Sequence, residues 1–404
     1  WTAFTVSFLI SFADALDFYT MCYSMHKIAD YYNTSKANMS QAITYSILQR
    51  TLGGLFSASF GSSFGQKYMV MLDMVMLGSL QVAATFCKNV NLFLIIRALF
   101  GLGMSSLFSL AILHLIKNSP QAKRTFIGAT FQCSTPLAAI LAAGLNIIFH
   151  EQDDSWRKMF WVSASVSYFC VIVRFIIPEY KTLQAQEVVS QPETESRQDW
   201  RARMRTARDN TIKKPWYQIK TMLQMHWRIF TYSAILMCLS TWYSHAINDT
   251  YVTFLIFGKH NRNRTANVIL MIIKSTSVPG IVMSGALGQL FGIRRVVIPL
   301  GIIAMGLIPA ALLPYSRWGL ALGGAFLNFF TEAFLALFPA YIGRNAPSQF
   351  SIILPAMAYQ LGACISSPSS QLVNVFGQNL YFHRKGQRIP AYQYVILTTA
   401  LITI

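Results

Sequence analysis

Apolar runs of about 20 residues follow one another along almost the whole of this 404-residue chain, with short polar stretches between them. A hydrocarbon core about 30 Å thick takes about 20 residues of α-helix to cross, and a backbone amide left unpaired there has no water to turn to. Such runs therefore fold as spanning helices. We place about twelve, at residues 4–28, 41–63, 69–87, 91–116, 126–149 and 158–178, then 229–257, 266–291, 295–314, 317–342, 351–376 and 390–404. The composition agrees, because 54% of the residues are hydrophobic and only 12% are charged, about half the charged share of a soluble domain. The expectation is an all-α integral membrane protein, not a soluble enzyme. The chain opens at Trp1 and stops within an apolar run, which we read as the loss of part of both ends. The first run carries Asp14 and Asp17, unlike the core of a cleavable signal.

One long polar interruption separates two sets of six runs. The expected units are a first half over 1–180, a basic linker over 181–226 and a second half over 227–404 with its last helix incomplete. Arg197, Arg201, Arg203, Arg205, Arg208, Lys213 and Lys214 lie in the linker, and positive segments stay in the cytosol. Both termini then face the cytosol, at the plasma membrane. The sequons at Asn33, Asn38 and Asn263 fall in loops this orientation places outside. A net charge of +18 invites a nucleic-acid reading, but the basic residues are scattered over loops instead of lining one face. The bilayer, with its anionic inner-leaflet lipids, is the partner they fit.

The six cysteines all lie in apolar segments without disulfide or metal spacing. No nucleotide loop, metal cluster or nucleophile elbow occurs, so neither an enzyme nor an ATP-driven pump is expected, and no cofactor. The driving force is then an ion gradient.

Chemistry concentrates in Thr241-Trp-Tyr-Ser244-His245-Ala-Ile247-Asn248-Asp249-Thr250-Tyr-Val-Thr253. An ionisable side chain at the centre of a spanning helix costs about 2.5–3.5 kcal/mol, so such residues line internal cavities and serve passage of ions or substrates. In a continuous helix Thr241, Ser244, His245, Asn248 and Thr253 fall on or near the face of Asp249. His245 can take and release a proton, with Asp249 one turn on to tune or receive it; the alternative is a satisfied buried pair holding this helix to its neighbours. The hydroxyls can donate to a carboxylate or bond back to their own helix.

Other charges in apolar runs offer similar choices. Asp14 and Asp17, three apart on the first helix, either join a proton path or bond to neighbouring helices. Arg97 either anchors at an interface or enters the cavity to meet substrate, and Gly101 and Gly103 after it suit close helix packing. Lys274 and Glu332 either pair across the second half or leave Lys274 to face an anion. Gln360 offers an amide to a carboxylate or to another helix.

The halves resemble each other. Gly61-Ser62-Ser63-Phe64-Gly65-Gln66-Lys67 and Gly288-Gln289-Leu290-Phe291-Gly292-Ile293-Arg294-Arg295 both join the second and third helices of a half. Both look like the degenerate loop motif of the major facilitator superfamily, two six-helix halves related by a repeat, although Ser62 and Gln289 stand where that motif is acidic. Within the superfamily, Ser244, His245, Asp249 and Thr253 match the signature N-x-x-[S/T]-H-x-[S/T]-Q-D-x-x-x-T of fungal Jen-type monocarboxylate:proton symporters, relatives of bacterial sialate symporters. Thr241, Ile247 and Asn248 depart from it. Asp14-Ala-Leu-Asp17-Phe18, Trp156-Arg157, His226-Trp227 and Ala358-Tyr359-Gln360-Leu361-Gly362 extend the resemblance, while Lys117 and Ala363 differ from the pattern. It implies a functionally monomeric carrier of lactate- or pyruvate-like anions with a proton, in which Thr241, Ser244, His245, Asn248, Asp249, Thr253, Gln360 and Arg97 meet the substrate. His245, Asp249, Asp14 and Asp17 would handle the proton. A sugar or dicarboxylate carrier of the same fold, or a non-transporting receptor-like or inactive relative, is the alternative.

Overall fold

The computed structural model describes residues 2–64, 66–117, 119–120, 123–149, 154–177, 197–347, 350, 353–384 and 387–403. Helices lie over all twelve apolar segments. The described residues form α1 (Thr2–Tyr31), a one-turn α2 (Lys36–Met39), α3 (Gln41–Phe64), α4 (Gln66–Thr85), α5 (Val90–Lys117), α6 (Arg124–Phe131) followed by α7 (Ser134–Ile148), and α8 (Ser155–Ile176). A long α9 (Arg197–Asn248) leads to a one-turn α10 (Tyr251–Thr253), a π-helical turn over Phe254–Gly258, α11 (Asn263–Phe291) and α12 (Ile293–Leu312). Then come α13 (Arg317–Leu335) with α14 (Phe338–Asn345), α15 (Ile353–Ser366) with α16 (Ser369–Asn379), and α17 (Tyr392–Thr403).

Among the described residues, seven stretches are long and apolar enough to cross a membrane: α1, α4, α6–α7, α8, α11, α12 and α13–α14. Pro368 separates α15 from α16, since proline has no amide to continue the ladder, and α9 carries the polar stretch around His245.

Three details differ from the sequence expectation. Residues 197–225, expected as part of a polar linker, continue α9 as helix; Arg, Lys, Gln, Ala and Met are good helix formers, so lack of an apolar face does not prevent it. The helix bends at His226, whose backbone is non-helical (φ −129°, ψ 29°) and whose ring lies 5.8 Å from that of Phe350. Second, strands β1 (Tyr381–Arg384) and β2 (Gln387–Pro390) pair as an antiparallel hairpin between α16 and α17. Third, the span expected as continuous over 229–257 breaks after Asn248 and resumes at Tyr251.

Each half is tied by a close approach of its second and fourth spans. A Cβ on Gly101 of α5 would stand 2.1 Å from the Ser46 carbonyl oxygen of α3, and one on Gly280 of α11 would stand 2.4 Å from the Phe329 carbonyl oxygen of α13. Only glycine lets the backbones meet at these points. Gly292, with φ +89°, makes the turn from α11 to α12 that the loop motif implied. At the end of the first half away from the linker, buried Trp156 packs on Tyr31, Phe93 and Phe160. Beside it Arg157 donates to Tyr31 Oη (2.7 Å) and to the Thr85 carbonyl (3.0 Å), fastening α8 to α1 and α4.

The halves meet along α6–α7 against α11 and along α3 against α15 and α9. Asn146 Nδ2 reaches Asn267 Oδ1 (3.3 Å) and the Tyr23 carbonyl (3.0 Å). Thr44 donates to Gln371 Oε1 (3.2 Å) and Thr51 to the Gln360 carbonyl (2.9 Å). Lys36 sits 2.9 Å from the centroid of the Phe257 ring.

Candidate functional site

The break in α9 lies within the polar stretch of the seventh span. Thr250 Oγ1 donates to the Ala246 carbonyl at 2.5 Å, a back-bond of the type that loosens a helix end, and the π-helical turn follows one helical turn later. Irregular backbone at this depth persists only where protein or an aqueous cavity surrounds it, and all of Asn248, Asp249, Thr250, Tyr251, Val252 and Thr253 are buried.

Two linked groups of side chains occupy the last turn of α9. In one, His245 Nδ1 lies 2.8 Å from Asp249 Oδ2. The carboxylate side chain is 2% exposed and the imidazole 16%, so the histidine is the more accessible member. Its ring stands 6.1 Å from that of Phe18 on α1, edge to face, which puts it at the junction of the halves. In the other, Asn248 Nδ2 reaches Ser244 Oγ and Glu332 Oε1, both at 3.2 Å, while its Oδ1 accepts Lys274 Nζ at 2.7 Å.

Lys274 of α11 also donates to Asn328 Oδ1 (3.2 Å) and Glu332 Oε1 (3.3 Å) of α13. All three ammonium hydrogens thus have acceptors, as a buried cation requires. Ser277 donates to the same Asn328 oxygen at 3.1 Å. Of the two readings left open for Lys274 and Glu332, pairing is the one observed here.

The remaining expected residues divide by partner. Thr241 donates to the Met237 carbonyl (2.6 Å) and accepts Ser366 Oγ (2.9 Å), so it fastens α9 to α15. Thr253 lies beyond the break, in α10, and the single helical face drawn through it does not continue that far. Gln360 is buried on α15, its carbonyl held by Thr51 of α3. Asp14 pairs with Arg50 Nη2 of α3 at 3.6 Å, and Asp17 accepts Ser167 Oγ of α8 at 2.7 Å. Although three apart in sequence, the two acids turn to different helices.

Arg97 is enclosed within the first half. Its Nη1 donates to Gln81 Oε1 at 3.0 Å, and its guanidinium lies 4.4 Å from the centroid of Phe160, with Phe93 and Phe100 also around it. Gln81 passes the link on to Thr20 (3.1 Å) and Ser163 (2.9 Å). Every one of these partners belongs to the first half.

The sequence reading passed over Asn328, Ser277, Gln81 and Arg50. A signal existed for Asn328, which stands one helical turn before Glu332 on the same face. Gln81 and Arg50 each interrupt an apolar run, and a polar group at that depth needs a partner.

A helical bundle in two halves, with a broken seventh span and buried ionisable groups at the junction, agrees with the comparison to known families, where the model of the Major Facilitator Superfamily matches residues 7–365. The chain belongs to this superfamily. A carboxylic acid transporter protein homolog of Saccharomyces cerevisiae is 20% identical over 384 residues, which are 92% of this chain and 60% of that protein. The cis,cis-muconate transport protein of Acinetobacter baylyi is 23% identical over 197 residues, 48% of this chain and 47% of that one. The chain thus spans between about half and three fifths of the length of these relatives. The xylose transporter of E. coli in a partially occluded inward-open conformation superposes with a TM-score of 0.70 at 12% identity, covering 100% of this chain and 95% of its own. That likeness concerns the fold. Within the superfamily, the second-half cluster of His245, Asp249, Asn248, Lys274, Asn328 and Glu332 is the candidate site.

Proposed function

We propose that this superfamily member is a proton-coupled carrier of small monocarboxylates, of the lactate or pyruvate type, working by alternating access at the plasma membrane with its termini and basic linker in the cytosol. The observation that carries the proposal is the placing of the His245–Asp249 pair beside a buried, amide-held ammonium, Lys274, at the junction of the halves. A buried cation supplies what a carboxylate must find when it leaves water, and a titratable pair supplies a place for the accompanying proton. Entry of anion and proton together is electroneutral, so the pH gradient drives accumulation. The two relatives named for carboxylic acid and muconate transport support the choice of substrate class, and membership of a superfamily built from two repeats supports the mode.

The deciding experiment is uptake of labelled lactate at acidic external pH, in cells without carboxylate carriers of their own, for the parent chain and for His245→Ala. Saturable uptake that collapses with a protonophore and is lost in the variant is expected. Surface-delivered protein that moves neither lactate, succinate, acetate nor glucose would replace this reading with that of a receptor-like relative. In the same cells, Asp249→Asn should abolish lactate-driven alkalinisation of a weakly buffered medium, and survival of that signal removes Asp249 from the proton path.

A further inference from the structure

The second-half cluster already contains a bound carboxylate, its own. Glu332 Oε1 accepts from two converging donors, Lys274 Nζ at 3.3 Å and Asn248 Nδ2 at 3.2 Å. Of the three acceptors around Lys274, the two neutral amides stand at 2.7 and 3.2 Å and the single charged one is the most distant. Two of the three acceptors of the ammonium are thus neutral amides, and the carboxylate fills the third place in the seat they form. The Glu332 side chain is also the accessible partner, 15% exposed against 2% for Lys274.

Groups of both halves stand around Glu332: its charge acts on Tyr19 and Tyr23 of α1, on Cys133 between α6 and α7, and on Tyr243 of α9. Lys274 from α11 is in ion-pair contact with Glu332, and the His245–Asp249 pair belongs to the same end of α9 as Asn248. The carboxylate thus pairs with a buried cation and acts on groups of both halves.

We infer that Lys274, with Asn248 and Asn328, is the carboxylate subsite of the carrier, and that Glu332 is its built-in competitor. Glu332 takes one proton from the open side and releases Lys274, and the carboxylate of the substrate occupies the vacated seat. The charge of the site is the same before and after, one ammonium facing one carboxylate, so the site can move across with either occupant. Release on the other side reverses the exchange: the anion leaves, Glu332 gives up its proton and re-pairs with Lys274. One proton and one anion cross together with no covalent step. The inference rests on the carboxylate-carrier reading and assigns the exchange to Glu332, with the His245–Asp249 pair of α9 as the group that receives the proton first and passes it on, so that Asp249→Asn also stops coupled uptake.

The test uses the full chain reconstituted in vesicles with labelled lactate as probe. Parent protein should lose lactate affinity as the pH rises, by up to about tenfold per pH unit, because proton and anion binding are linked. In Glu332→Gln the competitor is gone: lactate–lactate counterflow should persist with a half-saturation that no longer varies with pH, while accumulation against a gradient disappears. Lys274→Gln should weaken lactate binding by tenfold or more. Since that variant leaves Glu332 without its cation and can misfold, Lys274→Gln/Glu332→Gln, which leaves no orphan charge, should show the same loss while remaining monodisperse in detergent. Lactate binding by the double variant at parental affinity, or a parental pH dependence in Glu332→Gln, overturns the assignment and leaves the carrier standing. Parent protein that moves no lactate at any pH overturns both.

Discussion

Replacing Gly101 by Ala should loosen the first half, whereas the same change two residues on, at Gly103, should be nearly silent. A Cβ at position 101 would lie 2.1 Å from the Ser46 carbonyl oxygen and 2.8 Å from its carbon, both backbone atoms. A close carbon–oxygen contact is about 3.3 Å, so α3 and α5 must part by about 1 Å. Overpacking of this kind costs about 1–3 kcal/mol. Parting the helices also endangers the bond from Ser46 Oγ to the Arg97 carbonyl, 2.9 Å long, which contributes about 1 kcal/mol. Alanine returns about 1 kcal/mol of helix propensity, and the net loss is about 2 kcal/mol. At position 103 the Cβ would meet the terminal methyl of Met76 at 2.4 Å and otherwise nothing nearer than 3.6 Å. An unbranched thioether can swing aside, so propensity offsets the remaining strain. The assay is the thermal midpoint of detergent-purified protein, with Gly101→Ala falling by a few degrees and Gly103→Ala unchanged. Equal shifts in the two variants would show that the backbone approach at Ser46 does not govern the packing.

Further outcomes follow from single contacts. Asp14→Asn should destabilise the protein by about 3 kcal/mol by leaving Arg50 with an uncompensated charge, and Asp14→Asn/Arg50→Gln should recover most of that loss, read by the same thermal midpoint. Lys67→Met should cost about 1–2 kcal/mol, because Lys67 Nζ caps the Phe175 and Ile177 carbonyls at the end of α8 (3.0 and 2.9 Å); a loss no greater than that of an exposed lysine elsewhere would contradict this. A short bifunctional thiol reagent joining Asn146→Cys to Asn267→Cys, at the contact between the halves, should abolish lactate uptake while leaving each single variant active. Persistent uptake in the cross-linked protein would mean that the halves need not separate there.

The helices were legible because crossing a membrane imposes one length and one solution to the backbone problem. Where the structure departs from the sequence reading, a local term overrides that rule. Residues 197–225 are helical without being apolar, since propensity alone suffices outside the bilayer, and hydropathy has nothing to say about such a segment. The β1–β2 hairpin is too short to register against the apolar run that follows it. Among site residues, His245 and Asp249 were visible as charges four apart on one helix and do lie in contact. Lys274 and Glu332 were visible as charges but not as a cradle, because the amides that fix them, Asn248 and Asn328, come from two helices whose register only the folded chain decides. Arg97 shows the converse. Its depth was readable, but that three phenylalanines from two helices, α5 and α8, surround it was not.

The break in α9 and the position of Lys274 belong to one electrostatic arrangement. A helix that ends at Asn248 leaves its last carbonyls without intrahelical donors and with partial negative charge. Ending a helix inside the membrane is unfavourable unless something positive stands near, and Lys274 Nζ lies 2.7 Å from the side chain of the terminal residue. The ammonium in turn needs acceptors once it is withdrawn from water, and it finds them in Asn248, Asn328 and Glu332. A continuous helix through 248–253 would satisfy its own carbonyls and have less need of the cation. The residue at which the helix ends thus also supplies a side-chain acceptor for a buried positive charge, and Phe18 of α1, packed edge-on against His245, gives the first half a direct contact with the same turn.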